Sequence, residues 1–319
     1  MPKFDFFIVG LLQAVAVLIL APLYAGFSRF LRAKMHSRQG PPLFQYYHDI
    51  FKLMKRQEVR PAYATWVFRS TPYVMVASGL LAAMMVPMGT AWSPLGYAGD
   101  AIAVIYLLAV NKFFLALSGL DSGSGFAGAG SIREMGISAL VEPTIMLVLF
   151  VVALFAHSTN LGTISQKILS GSVPYTSPAF WLGIAAFALA SFIEMGKLPF
   201  DLSEAEQEIQ EGPFSEYSGP SLALAKWGLF IKQFVVASLF LALFFPFGSA
   251  PGSETTSILL GFALFLLKLA LLYAIAAVFE NTMARLIFYK TPQITWTGFG
   301  LALLSLVFYL VQVMSEVRI

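Results

Sequence analysis

Between Phe192 and Gly219 the chain reads FIEMGKLPFDLSEAEQEIQEGPFSEYSG, setting Glu194, Asp201, Glu204, Glu206, Glu208, Glu211 and Glu216 against one base, Lys197. Carboxylates crowded into a partly dry site repel one another. Some then keep their protons towards neutral pH and can exchange them there. His and Cys are absent from the segment, which points away from a metal centre and towards a proton-accepting surface. Pro199 must end a helix that reaches it, and Asp201 or Ser203 can cap a short new one. On that helix Glu204, Glu208 and Glu211 share a face while Glu206 points elsewhere. A freely solvated acidic loop is the bland alternative. Interleaved Leu, Phe, Ala and Ile, and the Glu194 that precedes them, favour partial burial.

Other ionisable groups stand inside apolar stretches. Glu142 directly precedes Pro143, which frees a backbone carbonyl, and is expected about two turns into its helix. Lys112, Lys232 and Lys268 fall near the middle of three further apolar stretches, and Lys226 nearer one end. A charge in hydrocarbon is costly unless it faces protein or water, so such residues mark pathways by default. One such Lys is explained by snorkelling or by a structural ion pair. Four of them on three helices, together with a buried Glu, indicate a hydrated polar core.

The elements that must position these groups follow from composition. Hydrophobic residues make up 58% of the 319 and charged residues 12%, against roughly 25% charged in soluble domains; mean hydropathy is +0.77. So few charges cannot cover a soluble surface, and lipid must do part of the solvating. Stretches near 6–28, 72–92, 100–120, 136–157, 178–195, 220–247, 257–280 and 295–315 each approach the ~20 residues a spanning helix needs. The expectation is an all-α, polytopic bundle of about eight membrane helices forming one domain over 1–319, with turns at Ser170–Ser177 and Gly248–Gly252. The first stretch is too long for a removable signal peptide. No internal repeat is visible. With zero Cys there is no disulfide and no thiolate-held iron–sulfur cluster.

Orientation follows from the bases. Thirteen Lys and Arg fall in the loops around 30–70, 121–135, 195–219 and 281–294, against Lys3, Lys167 and Arg318 on the opposite side. The basic side is therefore expected to be cytoplasmic, with both termini outside. Within the first loop, Tyr47, Ile50, Phe51 and Met54 recur at helical spacing beside Lys52, Lys55 and Arg56. This predicts a short amphipathic helix, lying in the membrane interface or packed on a partner.

The acidic segment resembles the loop of the membrane subunit that lines the quinone chamber of respiratory complex I. Glu194, Pro199, Phe200, Asp201, Leu202, Glu204, Glu206, Glu208, Gly212, Glu216 and Tyr217 fall in register with it. Two further blocks match: Arg38, Gly40, Pro41, Gln45, Asp49 and Lys52 after the first span, and Gly130, Arg133 and Glu142. The chain departs from that pattern at Ser28, where an acid is usual, and at Lys197, where Arg is usual. Its wording there, at Lys226–Trp227 and Lys232–Gln233, and at Phe279–Glu280–Asn281 is similar to the group 4 nickel–iron hydrogenases, formate hydrogenlyase and hydrogenase-4 among them.

That resemblance implies a non-catalytic coupling and anchoring subunit in a bacterial or archaeal inner membrane. It would bind no cofactor itself, with the nickel–iron centre and iron–sulfur clusters on partner subunits and quinone not expected. Partners would be a hydrogenase large subunit, iron–sulfur electron-transfer subunits, antiporter-like membrane subunits and the lipid bilayer. Formate dehydrogenase is a candidate further partner, and nucleic acid has no place. Glu142, Glu194, Asp201, Glu204, Glu206, Glu208 and Glu216, with Lys112, Lys226, Lys232 and Lys268, would form the coupling path. Arg38, Asp49, Arg133 and Lys197 would serve as charge partners or docking groups. The rival readings are a quinone-chamber subunit of an NADH:quinone oxidoreductase, a stand-alone transporter, and a passive anchor.

Overall fold

A chain this apolar must satisfy its backbone polar groups within each segment, and in lipid a helix does so without a partner strand. The computed structural model describes residues 3–252, 254–284 and 290–317, apart from the side chains of 3–5, 206, 207, 316 and 317. Along it run helices α1 (Lys3–Met35), α2 (Gln45–Met54), α3 (Trp66–Met85), α4 (Ala101–Asp121), α5 (Gly125–Ala156) and α6 (Leu161–Leu169). They continue as α7 (Pro178–Glu194), α8 (Glu206–Ile209), α9 (Gly219–Phe244), α10 (Thr255–Thr282) and α11 (Thr291–Val317). Among the described residues, seven are long and apolar enough to cross a membrane, and α7, at 17 residues, is a shorter eighth. Rising 1.5 Å per residue, it reaches about 25 Å, near the lower limit for a span.

Several boundaries differ from the expected ones, each for a local reason. α3 begins at Trp66, not 72, because its first turn is capped twice. Thr65 Oγ1 accepts from Val67 N at 3.3 Å, and Asp121 at the end of α4 accepts from Thr65 N at 2.8 Å and Phe68 N at 3.1 Å. Pro72 is accommodated within it. The helix stops at Met85, just before Pro87, and Gln13 of α1 donates to the freed Val86 carbonyl at 2.7 Å. α5 starts at Gly125, so the expected loop over 121–135 shrinks to Ser122–Ser124, and Glu142 stands 17 residues from the helix start rather than two turns. The short α6, capped by Asn160 on Thr163 N at 3.1 Å, has no counterpart among the expected elements.

The largest departure lies in the acidic segment, which is mostly turns. α8 spans four residues, and Gln210 and Glu211 follow with left-handed φ of 49° and 69°. Two consecutive left-handed residues end a helix outright. Glu204, Glu208 and Glu211 therefore do not share a helical face.

α9 is the central helix: 83% of its spanning window is buried, against 22% for α10 and α11. Small residues allow close approach around it. A Cβ on Gly228 would stand 2.8 Å from Met75 Cβ, and one on Gly79 would stand 2.8 Å from Ile231 Cγ2. α3, α1, α2 and α7 pack on α9; α5, α7 and α11 pack on one another; and α4 lies against α3 and α5. α2 seats Ile50 in the core and its Tyr46 ring 4.6 Å from Phe230, and leaves Phe51 and Met54 exposed. It is thus a short helix docked on the bundle that keeps an apolar outer face.

Candidate functional site

Four helices bring their charged residues to one buried place. On α5, Glu134, Ser138 and Glu142 recur every four residues and so line one face of the helix. α4 supplies Lys112, α7 ends on Glu194, and α9 supplies Lys232; all three side chains are buried. Lys112 Nζ pairs closely with Glu194 Oε2 and donates to Ser138 Oγ at 3.1 Å. Lys232 Nζ lies 3.6 Å from Glu194 Oε1 and 3.8 Å from Glu134 Oε1, so one ammonium faces two carboxylates. Glu194 sits in the last turn of α7, where the helix dipole opposes a negative charge. Two lysines are the compensation that makes this position tenable. A cavity of about 20 Å³ has Glu142, Glu194 and Ser191 among its otherwise apolar lining residues. That volume holds about one water molecule.

The turn segment packs beside this group. Glu204 is half-buried, with its carboxyl pushed up to about 7, first by removal from water and then by the charge of Glu134, while Lys226 opposes the shift. Arg133 Nη1 pairs with the exposed Glu208 at 2.6 Å, and Lys226 with Glu211 at 3.0 Å. Gly212, at φ +52°, fits against Gly130 of α5, where an added Cβ would stand 2.7 Å from Gly212 Cα and 2.6 Å from Pro213 Cδ. Tyr217 closes the segment, its ring stacked 4.1 Å from Phe68 and its hydroxyl donating to Phe68 O at 2.9 Å. Glu58 of the first long loop accepts from Arg60 at 2.7 Å and from Ser221 of α9, and Arg60 first of all holds its carboxyl below the usual range.

Of the groups singled out in the sequence, Lys112, Glu142, Glu194 and Lys232 converge, and Glu204 joins them through Glu134. Lys226 and Glu208 belong to the rim. Lys268 stands apart: its ammonium donates to Phe245 O at 2.8 Å and Phe247 O at 2.7 Å, closing the end of α9. Asp49 is held by Gln45 at 2.9 Å within α2, and Arg38 is exposed in the turn before it. Asp201 lies in the turn after Pro199, Glu216 is half-buried ahead of α9, and the side chain of Glu206 is outside the described residues. Two paired acids are absent from the sequence-based set, one in this site and one in a separate cluster. Glu134, one turn before Ser138, is available from its eight-residue, two-turn spacing to Glu142. Glu280 enters the sequence reading only as family wording, yet it is buried on α10, 2.7 Å from Arg32 Nη1 and 2.9 Å from Lys197 Nζ. Lys197 also donates to Ser28 Oγ at 2.7 Å. The two positions that depart from the quinone-chamber pattern therefore touch each other.

Among the described residues, no group of three or more His, Cys, Asp or Glu is arranged to hold a metal ion. An apolar cavity of about 400 Å³ opens between α7, α9, α10 and α11, with Phe192, Phe200, Phe240 and Phe279 in its walls.

The chain is 50% identical over 304 residues to hydrogenase-4 component C of Escherichia coli (strain K12), covering 95% of this chain and 96% of that one. It is 46% identical over 301 residues to formate hydrogenlyase subunit 4 of the same organism, covering 93% and 96%. NADH-quinone oxidoreductase subunit 8 of Thermus thermophilus is 32% identical over 253 residues, 74% of this chain and 67% of that one. In fold it matches a chain of the membrane-bound sulfane sulfur reductase, an archaeal respiratory membrane complex, with a TM-score of 0.83, 20% identity, and coverage of 95% and 99%. The family model for NADH dehydrogenase matches residues 8–311, nearly the whole length, and the chain belongs to that family.

Proposed function

We propose that this chain is the membrane subunit that couples electron transfer in a cytoplasmic hydrogenase arm to proton translocation, in a complex of the formate hydrogenlyase type. The observation that carries this reading is the placement of Lys232 between Glu134 and Glu194, with Glu204 in the adjacent turn segment and Glu142 beyond. A proton donor or acceptor must exchange its proton near the working pH, and Glu204 at about 7 does so. An ammonium shared by two carboxylates is a switch in miniature. When one carboxylate is protonated, the ammonium's attraction to it falls and the other pair strengthens. A charge change at the loop is thereby passed inward to Glu194 and, through the small cavity whose walls include both residues, to Glu142.

The same reading places the face bearing the 36–65 and 195–218 loops in the cytoplasm and both termini outside. That face docks the hydrogenase large subunit and its iron–sulfur partners, which carry the nickel–iron centre and clusters, while antiporter-like subunits meet the chain within the membrane. The chain itself takes no redox group and no quinone in this reading. A quinone-chamber reading draws on the apolar cavity near α7 and α10, whose lining offers little beyond Ser191 to hold a quinone oxygen.

Gln keeps the shape of Glu but cannot ionise. Glu142→Gln and Glu194→Gln in the assembled complex are expected to abolish proton uptake by sealed vesicles, followed with a pH-sensitive dye. Hydrogen evolution falls with it if coupling is tight and persists if coupling is loose. Wild-type values for both activities in both variants would make these carboxylates structural and the chain a passive anchor.

A further inference from the structure

Pro199 prevents the turn after α7 from continuing as a helix, so something else must fix its position. Gln233 of α9 holds its start, donating to Met195 O at 2.8 Å, and three side chains of α1 and α10 gather around Lys197. Lys197 of the turn is buried, its ammonium 2.9 Å from Glu280 Oε1 on α10 and 2.7 Å from Ser28 Oγ on α1. It also lies 5.1 Å from the centre of the Tyr273 ring, again on α10. Glu280 Oε2 is held at 2.7 Å by Arg32 of α1. Both carboxylate oxygens of Glu280 are thus engaged, one by each cation. This arrangement is separate from the Lys112, Glu134, Glu194 and Lys232 group.

We infer that Glu280 is a positioning residue: through Lys197 it latches the 195–204 turn to α1 and α10 and so sets where Glu204 stands relative to Glu134. The chemistry of the latch is specific. Burial lowers the proton affinity of Lys197 below that of a free lysine, Glu280 opposes most of that shift, and Arg32 adds to it slightly. Without that carboxylate the ammonium sits in a dry place beside another cation. It must then give up its proton or leave, and either event frees the turn. Ser28 marks where a substitute anion could stand, since its hydroxyl already contacts the same ammonium.

The inference rests on the coupling reading only for its consequence in proton movement; the position of the turn is measurable without it. In the intact complex, Glu280→Gln is expected to raise amide hydrogen exchange across residues 196–204 by at least about tenfold while leaving α9 protected. Proton uptake by vesicles should fall with it. Ser28→Glu in the Glu280→Gln background returns a carboxylate to Lys197 from α1 and is expected to bring exchange back to within about threefold of wild type. Unchanged exchange in Glu280→Gln overturns the latch. Restored exchange without an effect of either variant on proton uptake keeps the latch and overturns the coupling reading. Should Glu280→Gln fail to assemble, the double variant decides: recovered assembly supports the latch, and continued loss overturns it.

Discussion

Single side chains set the chemistry. Glu204 is drawn out of water and towards Glu134, which lifts it to about 7 from an ordinary 4.5. A raised carboxylate stabilises the folded chain fully below the unfolded value. That contribution is lost as pH rises through the folded one. Glu204→Gln cannot ionise, so it should be more stable than wild type at pH 8, with the gap closing as pH falls through 7 towards 4.5. Thermal unfolding in detergent at several pH values checks this. The same variant should flatten the pH profile of proton uptake near 7 and lower its rate by roughly 100-fold, the scale of one lost proton-transfer group. A melting difference independent of pH would show that Glu204 does not titrate in that window.

At the scale of elements, the acidic segment is held by contact rather than by helix. Gly130 of α5 admits Gly212, Pro213 and the Ser203 carbonyl, the last at 2.8 Å from where its Cβ would stand. Gly130→Ala forces the turn outward, since the three neighbours are backbone atoms or a rigid ring. The expected cost is about 1–3 kcal/mol of stability, typical of overpacking, read from denaturation in detergent, with proton uptake reduced in parallel. Gly298→Ala, where the nearest atom is the end of the Leu189 side chain at 3.3 Å, should be close to neutral and serves as the control. The spans themselves were legible from apolar length, because hydrocarbon thickness imposes it. Their ends were less so. The start of α3 depends on Asp121 from a different helix, and the start of α5 crosses a run of small residues that carries little hydropathy signal.

Across the whole molecule, loops between spans meet on two faces. Val59 and Ser218 are joined by two hydrogen bonds of 2.8 Å on the face that carries the bases, and Thr90 meets Ala250 on the other. Reporter fusions after Lys55 and after Glu211 should therefore report the same side, and under the proposed orientation, drawn from the excess of bases on that face, both should report the cytoplasm. Fusions that disagree with each other would contradict the fold, and fusions that agree on an external location would invert the orientation.

The sequence by itself determined the bundle of membrane helices, the acid-rich segment and the lysines set in apolar stretches. Composition and length decide those without reference to neighbours. It also carried the family wording, down to the positions of Ser28 and Lys197. Which charges meet was decided only in three dimensions. Lys232 is 38 residues from Glu194 and 98 from Glu134 along the chain, yet α9 brings it within 4 Å of both. Lys268 has the same sequence signature as Lys232 but ends on carbonyls at the end of α9. Glu280 has the sequence signature of a helix end and is the shared partner of Arg32 and Lys197. Periodicity fixes the face a side chain occupies on its own helix. Which helix lies opposite depends on packing around α9, where small residues such as Gly79 and Gly228 let neighbours approach closely enough for buried charges to pair.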